Sequence, residues 1–209
     1  MPLSESEKQR EVIIGIGRRM YRRGYVAAND GNLSLRLGDD RFAVTVTGVS
    51  KGFLTPEDVV VVNEKGELVS GTGQPTSEVL LHLFIYARRR DVNAICHAHP
   101  PYTTAFAACC RELPRPFLPE VVVNLGEQVP LVHYAAPGSE ELARSAADQV
   151  VDANALLLAN HGAVTVGENL EQAWYRMETL EHYAQVSYLA ESLGGAVSLS
   201  DSEIEHLGK

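Results

Sequence analysis

The chain opens with apolar residues at the spacing of one helix face. Four residues share this stripe: Val12, Ile13, Ile16 and Met20. Before the stripe stands Ser4-Glu5-Ser6-Glu7, the Ser-x-x-Glu order of a capping box. After it stands Gly24, a residue type that commonly ends helices. The spacing therefore predicts a first helix that begins near Ser4 and stops at Gly24.

Alternation of apolar and polar residues follows, and it predicts two β-hairpins. The first hairpin turns at Gly38-Asp39-Asp40. Its alternating apolar positions are Leu33, Leu35, Leu37, Phe42, Val44 and Val46. The second hairpin is "VVVVNEKGELVSG", which turns at Glu64-Lys65-Gly66.

Strands and helices then alternate to the end of the chain. Short apolar runs predict strands at 92–97, 121–123, 131–133, 155–160 and 163–166. Helical patterns are expected from Thr76-Ser77 to the arginines at 88–90, after Pro101, at 139–151 and at 170–193. The order predicts an α/β (α+β) fold, a single three-layer α/β/α domain over 1–209 with a mixed, mainly antiparallel central sheet.

Composition narrows the class of protein. The 209 residues are 45% hydrophobic and 22% charged, which is ordinary for a globular domain. The net charge of −9 argues against a nucleic-acid partner, which requires a clustered basic face. No apolar run approaches the roughly 18 residues of a membrane helix, and the polar first residues predict no signal peptide. Three cysteines make no disulfide framework, so we expect a cytoplasmic protein.

Two histidines one residue apart are the first candidates for chemistry. His97 and His99 in "NAICHAHP" point to the same side if the strand continues that far. His161 in "LLLANHGAV" ends another apolar strand and offers a third imidazole. Three neutral histidines with an open position suit zinc or another divalent transition metal. The alternative is three separate histidines that are merely hydrogen-bonded at strand ends.

Other polar residues have both a structural and a functional interpretation. Glu78 in "QPTSEVLLH" lies near a predicted helix start, where an acid also simply complements the helix dipole. The stretches "NDGNLS", "TGVSKG" and Thr76-Ser77 offer turns that can hold a phosphate, although any turn favours the same residue types. The remaining histidines are interpreted as surface or packing residues: His82, His133, His182 and His206.

Taken in order, "GNLS", "TGVSKG", "PTSE", "HAHP" and "LANHGAV", followed by a long helix, resemble the class II aldolase/adducin family. Within that family the sequence is most similar to the fuculose-1-phosphate aldolase type, over residues 5–193. The resemblance implies a cytoplasmic cyclic homotetramer with active sites at subunit interfaces.

The resemblance also implies roles for particular residues. His97, His99 and His161 match the ligands of a divalent metal, with Zn²⁺ expected and Mn²⁺ or Co²⁺ as alternatives. Glu78 matches the carboxylate that can also ligate the metal and acts as the acid/base. The substrate phosphate would be held by Gly31, Asn32, Thr47, Gly48, Thr76 and Ser77.

The implied reaction is cleavage of a (deoxy)ketose 1-phosphate. Candidates are L-fuculose 1-phosphate and 5-deoxyribulose 1-phosphate. The products would be dihydroxyacetone phosphate and a small aldehyde, formed through a metal-stabilised enediolate.

The sequence departs from the family pattern at one point. Fuculose-phosphate aldolases use a tyrosine of a neighbouring subunit as the proton donor to the aldehyde oxygen, but here the region reads "RPFLPEVVV". Glu120 in that region is therefore a candidate second acid/base, with a surface acid as the alternative. Tyr102, Tyr134 and Tyr183 remain as other possible donors.

Two other functions stay open. The same site can serve an epimerase, a decarboxylase or a dehydratase of a related sugar phosphate or acid. Pentulose-phosphate epimerases typically carry aspartate where this chain has Glu78, and the dehydratases lack an acid there. The other alternative is not an enzyme but a non-catalytic scaffold like the adducin head domain. Such domains lose the metal histidines, whereas this chain has all three.

Overall fold

A computed structural model describes residues 4–38 and 40–207. Asp39, in the first predicted turn, and the terminal residues 1–3, 208 and 209 lie outside the described residues. Eight strands form one sheet: β1 (Asn32–Gly38), β2 (Arg41–Thr45), β3 (Val59–Val62), β4 (Leu68–Ser70), β5 (Ala94–Ala98), β6 (Leu131–Val132), β7 (Ala155–Leu158) and β8 (Gly162–Gly167).

The strands lie in the order β4-β3-β2-β1-β5-β8-β7-β6. Neighbouring strands are antiparallel except for β6 and β7, which are parallel. The predicted mixed, mainly antiparallel sheet and both predicted hairpins are confirmed. β1 begins where β2 and β5 end, so three chain segments meet at one end of the sheet's centre.

Seven α-helices of the described residues flank the sheet: α1 (Glu5–Arg22), α2 (Val79–Arg88), α3 (Pro101–Ala108), α4 (Pro119–Leu125), α5 (Glu140–Gln149), α6 (Leu170–Ser192) and α7 (Asp201–Leu207). One face of the sheet packs against α1, α3, α4 and α6. The other face packs against α2 and α5. Adjacent residues of β5 show the division, because Cys96 belongs to the first core and Ile95 to the second. The structure therefore has the predicted three layers.

The first helix has the predicted ends. The Glu7 backbone N–H donates to the Ser4 hydroxyl oxygen, and the Glu7 carboxylate accepts from the Ser4 backbone N–H, so the capping box is complete. Gly24 adopts a φ of 69° just beyond the helix. Glycine adopts this left-handed conformation without the steric cost of a Cβ.

The prediction of a strand at residues 121–123 is wrong, since these residues lie in α4. Pro119 takes the first helical turn, where its missing N–H costs nothing. Val121, Val122 and Leu125 are buried at helical spacing. A run of three valines has no period of its own, so the burial of Leu125 one turn later decides in favour of a helix.

Two boundaries differ from expectation. The helix expected from Thr76-Ser77 begins at Val79, which leaves Glu78 at the N-cap position, just outside the helix. Near the other end of the chain, the polar segment after α6 forms a further helix, α7, and its Ile204 is buried. Among residues 4–38 and 40–207, no helix combines the length and the apolar character needed to cross a bilayer.

Candidate metal centre

Three histidine rings meet at the central end of the sheet. His97 lies in β5, His99 follows that strand directly, and His161 lies in the turn between β7 and β8. One ring nitrogen from each lies within 4.8 Å of the other two, and the Nε2 atoms of His97 and His99 are 3.2 Å apart. The structure thus brings together the three histidines that the sequence singled out.

The turn between β7 and β8 is built to present His161. Asn160 has a φ of 56°, a left-handed conformation that asparagine tolerates better than most residues. The His161 backbone N–H donates to the Leu158 carbonyl and closes the turn. Gly162 comes next, and a Cβ there would lie 2.4 Å from the His99 ring and 2.6 Å from the Ala98 carbonyl oxygen. The glycine therefore leaves the space that His99 occupies.

A hydrogen bond to one outer nitrogen and a nearby carboxylate beside another orient two of the rings. Nδ1 of His97 donates to the Ala163 carbonyl at 2.9 Å, which leaves Nε2 facing the cluster. Nδ1 of His99 lies 3.6 Å from the Asp30 carboxylate. A carbonyl or carboxylate behind a ligating imidazole is the usual way in which proteins fix the tautomer and the ring orientation.

The histidines differ in their tendency to take up protons. Burial and then the proximity of His97 lower the pKa of His99 and of His161 to about 4 each. Burial also opposes protonation of His97, but the Glu78 carboxylate outweighs it and raises the pKa of His97. His99 and His161 are therefore neutral near pH 7 and offer lone pairs.

Glu78 supplies the only carboxylate that touches two of these rings in the described part of the chain. Its Oε2 lies 3.1 Å from Nε2 of His97, and its Oε1 lies 3.4 Å from Nε2 of His161. Burial raises the pKa of Glu78, but the neighbouring histidines and a hydrogen bond from Asn32 outweigh it and hold that pKa well below the usual range. The carboxylate is therefore ionised.

The donor set fits a divalent metal ion. Oε1 of Glu78 and Nδ1 of His161 are buried without a hydrogen-bond partner in the structure. The Nε2 atoms of His97 and His99 lie 3.2 Å apart, so their two lone pairs can face each other only with a shared proton or a bound cation between them. Imidazole nitrogens with one carboxylate are the ligands that zinc and related transition metals prefer.

Sequence reasoning missed the polar contacts behind Glu78. Nδ2 of Asn32 donates to Glu78 Oε2 at 2.9 Å, and Oδ1 of Asn32 lies 2.5 Å from Nε2 of His82. Nδ1 of His82 lies 2.6 Å from the Ser34 hydroxyl, which lies 2.8 Å from the Tyr86 hydroxyl. His82 is thus a packing residue, as predicted, but it is fully buried in a polar chain that ends at Glu78.

The predicted phosphate turns lie near the same end of the sheet. The Thr47 N–H donates to the Gln74 carbonyl, and the Thr76 N–H donates to the Thr45 carbonyl, so the second and third turns are adjacent. Gly48 has a φ of 77°, with open space where a Cβ would stand. Ser77 is exposed beside them.

The remaining two phosphate candidates adjoin the histidines. A Cβ on Gly31, whose φ is 71°, would lie 2.8 Å from the His97 carbonyl oxygen. The Asn32 side chain is occupied by Glu78 and His82. The phosphate-binding role of these turns stays a prediction.

Lys51 links two of these turns. Apart from its position in "TGVSKG", nothing in the sequence predicted this contact. Its Nζ donates to the Asn29 carbonyl at 3.1 Å and to the Val49 carbonyl. Burial lowers the pKa of Lys51 to about 8. The lysine therefore fixes the spacing between the turn before β1 and the turn after β2.

Within this chain Glu120 lies apart from the histidines. It is exposed in the first turn of α4, where its backbone carbonyl accepts from Asn124. Among the tyrosine candidates, Tyr183 already donates its hydroxyl to the carbonyls of Pro114 and Arg115, and Tyr134 is exposed. The second acid/base stays a prediction.

Comparisons with known proteins agree with the geometry. The model of the class II aldolase and adducin N-terminal domain matches residues 11–188. A 5-deoxy-D-ribulose 1-phosphate aldolase from Bacillus thuringiensis serovar kurstaki is 33% identical over 97% of this chain and 95% of that protein. A 3-oxo-tetronate 4-phosphate decarboxylase from Escherichia coli K12 is 39% identical over 86% of each chain.

A solved structure extends the agreement to the fold. A protein named L-fuculose 1-phosphate aldolase superposes with a TM-score of 0.90 at 32% identity, covering 99% of this chain and 96% of that one.

Proposed function

The chain belongs to the class II aldolase and adducin family, and on that premise we propose that it cleaves a carbon–carbon bond in a phosphorylated keto sugar. The leading substrate class is a (deoxy)ketose 1-phosphate, such as L-fuculose 1-phosphate or 5-deoxyribulose 1-phosphate. The products would be dihydroxyacetone phosphate and a small aldehyde. Relatives and solved neighbours that carry these aldolase names support the proposal.

One observation carries the proposal: an ionised carboxylate with a free oxygen faces three converging imidazoles. Oε1 of Glu78 is buried without a partner and lies 3.4 Å from His161 Nε2. A site made only for structural stability would have no reason to keep a buried carboxylate oxygen unpaired.

Metal binding and phosphate binding are assigned to different residues. His97, His99 and His161 would hold the divalent ion, with Zn²⁺ expected and Mn²⁺ or Co²⁺ as alternatives. When bound, that ion supplies positive charge against the negative charge that develops on the substrate oxygens. The turns that carry Gly48, Thr76 and the other phosphate candidates would anchor the unreactive end and orient the reacting carbons.

Glu78 would move the proton. In cleavage, the second acid/base, for which Glu120 is the candidate, would take the proton of the C4 hydroxyl and pass it to solvent. The C3–C4 bond breaks, C4 becomes the aldehyde carbon, and the electron pair enters an enediolate over C2 and C3. Glu78, after taking up one proton from solvent, would then deliver it to C3. In the reverse direction the carboxylate removes that proton, a role for which it must be ionised, as the neighbouring histidines keep it here.

Decarboxylation of a 3-oxo sugar-acid phosphate is the second candidate. The C1–C2 bond of 3-oxo-tetronate 4-phosphate would break, carbon dioxide would leave, and protonation at C2 would again give dihydroxyacetone phosphate. This reaction removes no proton from an alcohol, so it needs no tyrosine donor. The lack of tyrosine in "RPFLPEVVV" and the 39% identity to the E. coli decarboxylase favour it.

The two reactions can be distinguished by the product that accompanies dihydroxyacetone phosphate. Purified protein loaded with Zn²⁺ or Mn²⁺ would receive a panel of ketose 1-phosphates and, in parallel, 3-oxo-tetronate 4-phosphate. Both reactions release dihydroxyacetone phosphate, so the aldehyde and carbon dioxide are measured separately. Aldehyde release supports the aldolase, and carbon dioxide release alone replaces it by the decarboxylase.

The same experiment tests the remaining alternatives. Product masses that reveal an epimer or a dehydrated sugar would overturn both lyase proposals. Metal analysis of the purified protein tests the scaffold alternative, because stoichiometric metal is incompatible with a domain that has lost its site. We propose that the working form is a cytoplasmic homotetramer, as the resemblance implies.

A further inference from the structure

A chain of four buried side chains leads from the second core to Glu78, and we propose that it positions the catalytic carboxylate. The chain consists of Tyr86, Ser34, His82 and Asn32. In this proposal His82 and Ser34 are positioning residues that act through Asn32 on Glu78. The inference rests on the proposed function only in so far as Glu78 works at the metal centre.

All four side chains are removed from solvent. Ser34, His82 and Tyr86 are fully buried, and Asn32 is 3% exposed. The successive contacts measure 2.8, 2.6, 2.5 and 2.9 Å from the Tyr86 hydroxyl to Glu78 Oε2. Four short contacts in series hold the geometry more firmly than one contact, because each partner fixes the next.

The direction of every hydrogen bond follows from the end at Glu78. An ionised carboxylate only accepts, so Asn32 must turn its Nδ2 towards Glu78 and its Oδ1 towards His82. Oδ1 requires a donor, which places the proton of the neutral His82 ring on Nε2. Nδ1 of His82 then accepts from a hydroxyl.

The remaining two bonds follow in the same way. Ser34 donates its only hydroxyl proton to Nδ1 of His82, so the Ser34 oxygen accepts from the Tyr86 hydroxyl. Each of the four contacts therefore has one assigned donor and one assigned acceptor, and the chain runs in a single direction.

The series cannot deliver protons to the active site. Asn32 stands between His82 and Glu78, and an amide does not exchange its N–H proton for one taken up at its oxygen on a catalytic timescale. What the series transmits is orientation. It holds Oε2 of Glu78 with one N–H and thereby leaves Oε1 directed at the histidines.

The test compares two buried serines that receive the same substitution. Ser34→Ala removes the donor to His82, which leaves Nδ1 of that ring without this partner and the ring less firmly held against Asn32. Ser187→Ala is the control, because Ser187 is also buried and bonds its hydroxyl to a carbonyl, that of Tyr183 in α6. Tyr86→Phe is a milder variant that removes only the far end of the series.

The readout is the dissociation constant for Co²⁺, measured by its visible absorption in the folded protein, so it needs no substrate. We expect Ser34→Ala to raise this constant by up to about tenfold, the lower end of the effect of losing an outer partner of a metal ligand, because Ser34 acts through His82 and Asn32. Tyr86→Phe should raise it less, and Ser187→Ala should leave it unchanged. Glu78→Gln alone should also weaken binding, and adding Ser34→Ala to E78Q should weaken it no further.

The double variant decides between positioning and general destabilisation. If Ser34→Ala weakens Co²⁺ binding equally with and without E78Q, the effect does not pass through Glu78 and the inference is wrong. The same conclusion follows if Ser34→Ala binds Co²⁺ like the wild type, or if Ser187→Ala weakens binding as much as Ser34→Ala. If the variants bind Co²⁺ as expected but the wild type cleaves no sugar phosphate, the proposed function alone is overturned. If the wild type binds no Co²⁺, both the proposed function and this inference are overturned.

Discussion

At the scale of single residues, Glu78 combines two conditions that are rarely found together. One carboxylate oxygen is held by an amide, and the other is buried without a partner beside histidine nitrogens. The histidines keep the group ionised in spite of its burial. A base near a bound substrate needs both properties, since it must be charged and must have a free oxygen.

Replacing this carboxylate should separate metal binding from chemistry. We expect Glu78→Gln to lower the cleavage rate at least about 100-fold, because an amide cannot carry the proton. The three histidines remain, so metal should still bind when supplied in excess. Product release and metal content of the same sample are the measurements, with Glu64→Gln in the exposed second hairpin turn as the control. A variant that keeps full activity would mean that another group moves the proton.

His82 should make the metal-free protein sensitive to acid. Burial lowers its pKa to about 3, while the unfolded chain binds a proton near the ordinary value of about 6.5. Between these values the unfolded state holds more protons, so the free energy of unfolding falls as the pH falls, by up to about 1.4 kcal/mol per pH unit.

Urea unfolding of metal-free protein at pH 7, 6, 5 and 4 measures this slope. Gln does not titrate, so His82→Gln should lose less stability than the wild type over the same range. Equal slopes in the two proteins would show that His82 takes up its proton without unfolding.

The sequence pointed to the residues that converge at the candidate metal centre more readily than to the residues that support them. His97, His99 and His161 could be found because strand ends collect functional side chains, and Glu78 because it matched the family pattern. The role of His82 could not be found, since its partners Asn32 and Ser34 are about fifty residues away in sequence. Such contacts exist only once β1 lies beside α2.

At the scale of elements, the turn between β7 and β8 depends on one glycine. Gly162→Ala would place a Cβ 2.4 Å from the His99 ring and 2.6 Å from a backbone oxygen. The ring must move, so we expect weaker Co²⁺ binding and a lower free energy of unfolding, by about 1–3 kcal/mol as for other overpacked sites.

Gly15 in α1 is the matched position for this substitution. A Cβ on Gly15 meets nothing within 4 Å. Gly15→Ala should therefore stabilise the protein by up to about 1 kcal/mol and leave metal binding unchanged. Urea unfolding and Co²⁺ titration of both variants check the pair, and a Gly162→Ala protein that binds Co²⁺ normally would contradict the steric argument.

Helix α4 is an element whose type could not be predicted from the hydrophobic pattern. Its residues have high strand propensity, and the valine run has neither a period of two nor a period of 3.6. The proline at its start and the core into which Leu125 packs decide the conformation. The start of α1, by contrast, was predictable because a capping box is a local interaction.

At the scale of the whole molecule, the position of Glu120 suggests that one chain does not hold the complete site. Glu120 is exposed on α4, and the resemblance places a proton donor of the neighbouring subunit in this region. If the working form is a tetramer with sites between subunits, Glu120 and Glu78 of one site belong to different chains.

Subunit mixing tests this arrangement. Glu78→Gln and Glu120→Gln tetramers should each be inactive, or nearly so. After dissociation and random reassembly, about one quarter of the sites receive neither substitution, so about one quarter of the wild-type rate should return. Two inactive proteins that stay inactive after verified mixing would place both carboxylates in the same chain, whereas a Glu120→Gln tetramer that is active by itself would assign Glu120 no role.

The convergence of distant segments at one end of the sheet also sets an order of events during folding. The Glu78 carboxylate lies 46 residues from the amide that holds it, and His97 lies 66 residues from the carbonyl that orients its ring. Contacts of such long range form only after the loops between them have closed, which is the slow part of folding. The complete ligand set does not exist before these loops close, so we expect the ion to join a sheet that is already formed and not to act as the nucleus around which the sheet is built.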